Sequence, residues 1–353
     1  MLQYGLKAVF SPSSPVYVPP NAHPRFLRFV LGFVRHSTSR AWRRAMAQLV
    51  GINAMALESF DVLADGGVVA PTHEARSFTA AYRTEAERET LLEEIEQIRA
   101  VGQPMDFDAL SGDEARAIEP ALSEAIGAAV VLKDQRFIDP GQYVQALADA
   151  VVDRGGAIRD DAEVVDIDDS GRGPTLVLRG EERTEQFDAV VVATGAWLGR
   201  LARKFGVRRV VQAGRGYSFS VPIEHVPNGP VYFPAARIAC TPVGERLRVA
   251  GMMEFRRPEA PLDRRRVEAI VAAARPLLRG ADLDDRADEW VGSRPCTTDG
   301  LALIGGTRSP RVYLAGGHGM WGITLGPATG RLLAEQVMTG RVPAQLRPFD
   351  PLR

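Results

Sequence analysis

Only two cysteines, Cys240 and Cys296, occur in 353 residues, and neither stands in a CxxC or Cys/His spacing. A disulfide framework and a structural zinc site are excluded on that ground, and a reducing compartment, the cytoplasm, is the expected setting. Long apolar runs are missing too. Nearly unbroken ones, such as residues 29–34 and 189–192, fall far short of the ~20 residues that span a bilayer, and no signal peptide is recognisable. Internal repeats and low-complexity tracts are lacking as well. What is present, 45% hydrophobic and 25% charged residues, excludes disorder and fits a folded chain of one large or two ordinary domains.

Acidic residues are absent from the first 57 positions, which carry Lys7, Arg25, Arg28, Arg35, Arg40, Arg43 and Arg44 and are therefore +7. The remainder, 36 basic against 44 acidic residues, is −8. From residue 24 to 50 the arginines interleave with Phe26, Leu27, Phe29, Val30, Phe33, Val34, Trp42, Met46 and Leu49, a pattern that predicts helix with one apolar stripe. Such a segment either lies against an anionic membrane surface or packs on its own domain with its arginines in water. Nucleic acid is not an expected partner, because no recognition motif accompanies the charge.

Residues 64–71 and 77–83 are expected as strands, followed by an amphipathic helix over residues 85–100 with Leu91, Leu92, Ile95 and Ile98 on one face. Gly102 and Pro104 stop it. Asp139-Pro140 is a helix-start signal, an N-cap followed by a ring suited to the first helical position, and predicts a helix over 140–153. Strands are expected at 157–167, 175–178 and 187–193, the run 189–193 suiting burial on both faces. Residues 210–291 read as an antiparallel sheet carrying one helix near 264–278. A buried strand at 311–315, a Gly-rich loop and a helix over 327–338 complete the chain, so one domain is expected to be split by another.

Three stretches carry chemistry. Val312-Tyr-Leu-Ala-Gly-Gly-His-Gly-Met-Trp-Gly-Ile-Thr-Leu-Gly-Pro-Ala-Thr-Gly330 is a strand, a loop with Gly316, Gly317, Gly319 and Gly322, and a helix entry. Glycines let backbone approach a flat ligand, and the loop N–H groups with the helix N-terminus favour an anion, whether a reduced flavin ring or a phosphate. The alternative is a tight strand-to-helix turn. Val190-Val-Val-Ala-Thr-Gly-Ala-Trp197 ends a buried strand in Thr194-Gly195, at a ligand crevice or an ordinary turn. Arg294, before Pro295 and a turn, suits bidentate capture of a carboxylate, although among 40 arginines a surface charge is the dominant reading of this feature taken alone.

Together with Ser11-Pro-Ser-Ser-Pro-Val-Tyr-Val-Pro-Pro20 and Gly214-Arg-Gly-Tyr-Ser218, these stretches give the sequence a resemblance to the flavin-dependent D-amino-acid oxidase superfamily, nearest its bacterial D-amino-acid dehydrogenases. The resemblance covers nearly the whole chain. It implies an α/β fold in which an FAD-binding Rossmann-like domain is interleaved with an α+β antiparallel-sheet substrate domain. Residues 139–206 and 297–345 would form the FAD domain, 64–138 and 207–296 the substrate domain, and 1–63 a basic helical segment packed on the FAD domain. FAD is the implied cofactor, held by Val164 at the adenine, by Thr194 and Gly195, and by Gly317, His318, Gly319, Met320, Trp321, Gly322, Ile323 and Thr324 along the ring. Arg294 is the implied carboxylate anchor, with Tyr217 and Met320 lining the substrate pocket.

The family's opening strand, GxGxxG turn, helix and acidic residue have no counterpart in the sequence; Gly171-Arg-Gly and Gly214-Arg-Gly neither follow a buried strand nor open a helix. An incomplete chain is the expectation, with a member that has lost flavin as the alternative. For a complete member the resemblance implies oxidation of a D-amino acid to the imino acid, which hydrolyses to a 2-oxo acid and ammonia. No side-chain base is needed if the amine binds neutral, so His318 is expected to pack the loop or flank the ring. Electrons would pass to a quinone or another respiratory acceptor, with residues 24–50 in peripheral contact with the inner face of the cell membrane. A glycine, sarcosine or imino-acid oxidase of the same superfamily and a flavin-free interaction subunit are the rival expectations.

Overall fold

The computed structural model describes residues 14–19, 21–180 and 185–353, so residues 11–13 and 20 of the family-like opening stretch, and the charge on Lys7, lie outside the described residues. The chain divides into two compact units, each drawn from three stretches. One comprises residues 1–20, 71–139 and 214–293, the other residues 21–70, 140–213 and 294–353.

Unit one is organised on a mainly antiparallel sheet. Its order runs Ala287–Thr297, Val211–Pro222, Arg246–Phe255, Ile238–Val243, Val231–Phe233, Phe78–Tyr82, Ala128–Leu132, Phe107–Ser111, with Val16–Tyr17 parallel to Arg246–Phe255. The period of two in Arg246–Phe255 sends Leu247 and Val249 inward, where they join Tyr217, Phe219 and Val221 from the neighbouring strand. Val267, Ile270, Val271 and Ala274, three or four residues apart on helix Arg264–Ala274, close that core. Asp263 caps this helix by accepting from the Arg265 N–H. The helix stops short of the expected residue 278 because Pro276 supplies no N–H and disfavours helical geometry just before it.

At one corner of this unit the backbone passes itself too closely for a side chain. A Cβ built on Gly229 would stand 2.0 Å from the Ser77 carbonyl oxygen, beside the Thr79 N–H to Pro230 carbonyl bond of 3.0 Å. Gly229→Ala is expected to cost about 1–3 kcal/mol of unfolding free energy, read as a lower urea midpoint at unchanged slope.

Unit two has a three-stranded sheet in which Val190–Val192 runs parallel to Val312–Gly316, itself antiparallel to Leu303–Gly306. Alternation divides the middle strand. Val312 and Leu314 pack with Leu198, Leu201, Phe205 and Ile167, whereas Tyr313 and Ala315 face the cluster formed by Leu49, Ile52, Leu325, Leu332 and Phe349. Those last residues come from helices Ser39–Asn53 and Gly322–Thr339 and the short turn Ala344–Phe349. A second, antiparallel sheet holds Val164–Asp168, Thr175–Leu178 and Glu185–Gln186.

Several expectations change. The stretch 24–50 is two helices, Pro24–His36 and Ser39–Asn53, because Thr38 caps the second by accepting from the Ala41 N–H at 3.3 Å. Residues 64–71 contain no strand; helix Ala56–Asp65 occupies their start and ends at Gly66, after which Gly67 takes a φ of +91°. The expected strand 157–167 shrinks to Val164–Asp168, since Arg159, Asp160 and Asp161 prefer a turn and Asp161 adopts a φ of +56°. The last long helix begins at Gly322 instead of residue 327, with Pro327 inside it.

Candidate active site

Because Val190–Val192 and Val312–Gly316 are parallel, in the register Val192↔Leu314, their carboxyl ends lie at the same end of the unit-two sheet. Open α/β sheets bind ligands at that end. After the first strand, Thr194 leads into the single turn Gly195–Trp197, and Gly195 takes a φ of +54° with open space where a Cβ would be. After the second, Gly317 and Gly319 have φ of +76° and +58°. A Cβ on Gly317 would stand 3.0 Å from Thr297 Cγ2, whereas one on Gly319 would meet nothing within 4 Å. The loop is thus pinned at its base and open at its tip.

The pins come from the end of strand Ala287–Thr297. The Gly319 N–H donates to the Pro295 carbonyl at 2.9 Å, and Cys296 and His318 form an isolated antiparallel bridge. His318 Nε2 and Thr329 Oγ1 are 3.0 Å apart, tying the loop to helix Gly322–Thr339. Arg294 stands two residues before Cys296, half-buried, and burial lowers its pKa; a guanidinium nonetheless stays cationic.

Burial also pushes His318 down to about 4, from 6.5. A histidine neutral in the fold and protonated in the open chain stabilises the fold less as pH falls below 6.5 toward 4. Faster amide exchange of residues 316–322 at pH 5 than at pH 7, corrected for intrinsic rates, is the expected result, and His318→Asn should abolish the difference.

Around this end of the sheet the surface is unusually apolar for solvent. Met320, Trp321, Ile323, Val191 and Trp197 are all exposed. Helix Gly322–Thr339 starts with no side-chain cap, its N-cap being Trp321, so its first N–H groups present partial positive charge. Gly322, Ile323 and Thr324 are therefore the first helical turn, not loop. A flat aromatic group with an electron-rich edge suits this surface: glycines leave room, indole and aliphatic side chains offer contact, and uncapped N–H groups await acceptors.

Two expected site residues stand elsewhere. Val164 opens strand Val164–Asp168, and its carbonyl accepts from Arg200 at 3.2 Å. The neighbouring Glu163 is drawn down to about 2 by hydrogen bonds from Arg179 and Arg200. Tyr217 belongs to unit one and is buried in its core. Its hydroxyl donates to Glu254 Oε2 at 2.8 Å, and burial first, then that carboxylate, raises its pKa to about 12. It lines no open surface within its unit, contrary to the sequence expectation. Pro295, Thr297 and Thr329 escaped the sequence reading, since a backbone carbonyl, a methyl contact and an 11-residue hydroxyl clip leave no motif.

The family described as FAD dependent oxidoreductase matches residues 23–336. The D-amino acid dehydrogenase of Cereibacter sphaeroides is 29% identical over 344 residues, 96% of this chain and 78% of that protein. That of Methylobacterium radiotolerans is 27% identical over 336 residues, 93% and 79% of the two chains. Glycine oxidase from Geobacillus kaustophilus superposes with a TM-score of 0.77 at 26% identity, covering 86% of this chain and 83% of that one. L-proline dehydrogenase from P. horikoshii shares the fold, at a TM-score of 0.71 and 18% identity over 86% and 82% of the chains. With the match running through both units, the chain belongs to the FAD-dependent oxidoreductases, and FAD is the cofactor of its family.

Proposed function

We propose that the chain oxidatively deaminates D-amino acids, with unit two holding FAD. The observation that supports this reading is the hydrogen bond from the Gly319 N–H to the Pro295 carbonyl, which ties the residue after half-buried Arg294 to the glycine loop. The names of the Cereibacter and Methylobacterium relatives support a D-amino acid over other donors.

When bound, FAD supplies the two-electron acceptor for the substrate α-C–H bond. Arg294 grips the carboxylate with its fork, fixing the α-carbon and leaving the amine free. Orientation of this kind is worth several powers of ten without any proton carrier. His318, neutral and clipped to Thr329, holds the loop rather than moving a proton. The first N–H groups of Gly322–Thr339, which have no side-chain cap, and residues 317–324 would hold the ring and favour negative charge on it. Thr194 and Gly195 would border the cofactor, Val164 would offer its backbone at the adenine, and Met320 would shape the substrate side.

Gly317→Ala is expected to weaken FAD retention by about 5–150-fold, because a left-handed alanine costs about 1–3 kcal/mol and its methyl meets Thr297. Flavin fluorescence released on dilution measures it.

The acceptor is proposed to be a quinone, reached through peripheral contact of residues 24–50 with an anionic membrane. Incubating purified protein with a panel of D-amino acids and a soluble quinone, and assaying 2-oxo acid and ammonia, tests the reading; L-amino acids alone as substrates would overturn it. The likeness to glycine oxidase favours a second reading, oxidation of glycine or sarcosine with peroxide as product. Peroxide formed from glycine but not from D-alanine would select it.

A further inference from the structure

Helix Pro24–His36 divides into three stripes. Phe26 and Phe29 are buried. Leu27, Leu31 and Val34, spaced by four and three residues, are 47%, 72% and 50% exposed. Between them run Arg28, Gly32 and Arg35, again four and three apart, lining a cavity of about 380 Å³ together with His36, Arg208, Arg209 and Thr298. The helix is seated directly on the cavity floor, since a Cβ on Gly32 would stand 2.8 Å from Thr298 Cγ2. His36 is fixed at the rim by its Nδ1–H to the Gly32 carbonyl, 2.7 Å away.

No carboxylate lines this cavity. Arg209 is engaged, its NH1 lying 3.7 Å from Asp299 and its Nε donating to the Arg353 carbonyl. The side chains of Arg28, Arg35 and Arg208 make no hydrogen bond or ion pair among the described residues. Three unneutralised guanidiniums around one hollow repel one another until an anion enters, and their forks match phosphate oxygens. A free phosphate would satisfy the cavity and leave the Leu27, Leu31, Val34 ridge in water. A bilayer surface satisfies both stripes, the hollow at headgroup depth and the ridge at the acyl boundary.

We propose that this cavity binds the phosphate of an anionic phospholipid headgroup while Leu27, Leu31 and Val34 enter the adjoining hydrocarbon. The proposal rests on the peripheral-membrane part of the functional reading and specifies its contact.

The test sediments the full chain with vesicles of phosphatidylcholine alone or mixed with phosphatidylglycerol, at constant ionic strength. Binding is expected to favour the anionic vesicles. The double variant Arg28→Gln/Arg35→Gln should lose about 30-fold of that partitioning, at one charge's worth of attraction each. Leu31→Ser should weaken binding to both vesicles without altering the preference. Arg43→Gln/Arg44→Gln, on the next helix, should lose clearly less. Equal losses from the two arginine pairs, equal binding to both vesicles, or displacement from vesicles by millimolar glycerol phosphate would overturn the headgroup site. So would a concentration-dependent dimer abolished by Leu31→Ser, which would assign the ridge to a second copy. Absence of any vesicle binding removes the membrane contact as well. Deamination by the unaltered chain with a soluble acceptor and no vesicles reports the enzymatic reading separately.

Discussion

Arg294→Met is expected to lower kcat/KM for D-amino acids by about 30- to 5,000-fold with FAD still bound. Losing one partner of a buried, hydrogen-bonded charge pair costs about 2–5 kcal/mol, and a carboxylate brought to this half-buried position has little water to fall back on. Methionine keeps the length of the side chain and removes the charge. Arg294→Lys keeps the charge and removes the planar fork, and should fall between the two. Steady-state kinetics over a substrate range, with flavin absorbance recorded on the same samples, separate anchoring from cofactor loss. A methionine variant within threefold of the parent would place the carboxylate elsewhere.

Glu254→Leu should have the largest effect on stability, about 3–5 kcal/mol, because it strips the counterion from a buried cationic cluster. Glu254 Oε2 lies 3.4 Å from Arg215 NH1 and accepts from Tyr217. Its Oε1 faces Arg256 at 3.5 Å and Arg266 at 3.8 Å. Arg215 and Arg266 are both buried, so removing the carboxylate leaves like charges opposed in the interior. Arg266 also donates to the Ser14 carbonyl at 3.3 Å and stacks over Tyr17, so the segment pairing with Arg246–Phe255 should loosen at the same time. Glu254→Gln retains an acceptor for Tyr217 and should cost less. Urea unfolding of the three proteins reads the difference; a leucine variant losing under 1 kcal/mol would show the cluster to be neutralised by other means.

What could be read from the sequence depended on whether a local pattern decided the outcome. Helix Glu85–Ala100 agrees at both ends because Thr84 caps it, accepting from the Glu87 N–H, and its apolar residues recur at the helical period. Pro140–Asp153 agrees for the same kind of reason, a proline at its first position and glycines after its last. Thr175–Leu178 is a strand as expected. Residues 64–71 differ because a short apolar run between two glycines and a proline reads as a strand, whereas packing of Ala56, Ser59 and Phe60 carries the preceding helix into their start. In the site, glycines that tolerate positive φ announced the loop by residue type alone. The strap from Pro295 and the clip from Thr329 did not, since they join backbone and hydroxyl groups far apart in sequence. For Tyr217, the pocket role came from the family resemblance alone. Its strand lies between two others, and its hydroxyl meets a carboxylate 37 positions away that no local pattern signals.

The strand Val312–Gly316 lies in the middle of its three-stranded sheet, between Val190–Val192 and Leu303–Gly306. A ribosome therefore delivers the central member of that sheet more than a hundred residues after its first neighbour. Until then the nascent chain carries Val190–Val192 with an open hydrogen-bonding edge, the state most prone to wrong pairing. Pausing of translation, or a chaperone able to cover a short valine-rich edge, should matter more to the yield of this protein than to one whose sheets are completed in the order they are made.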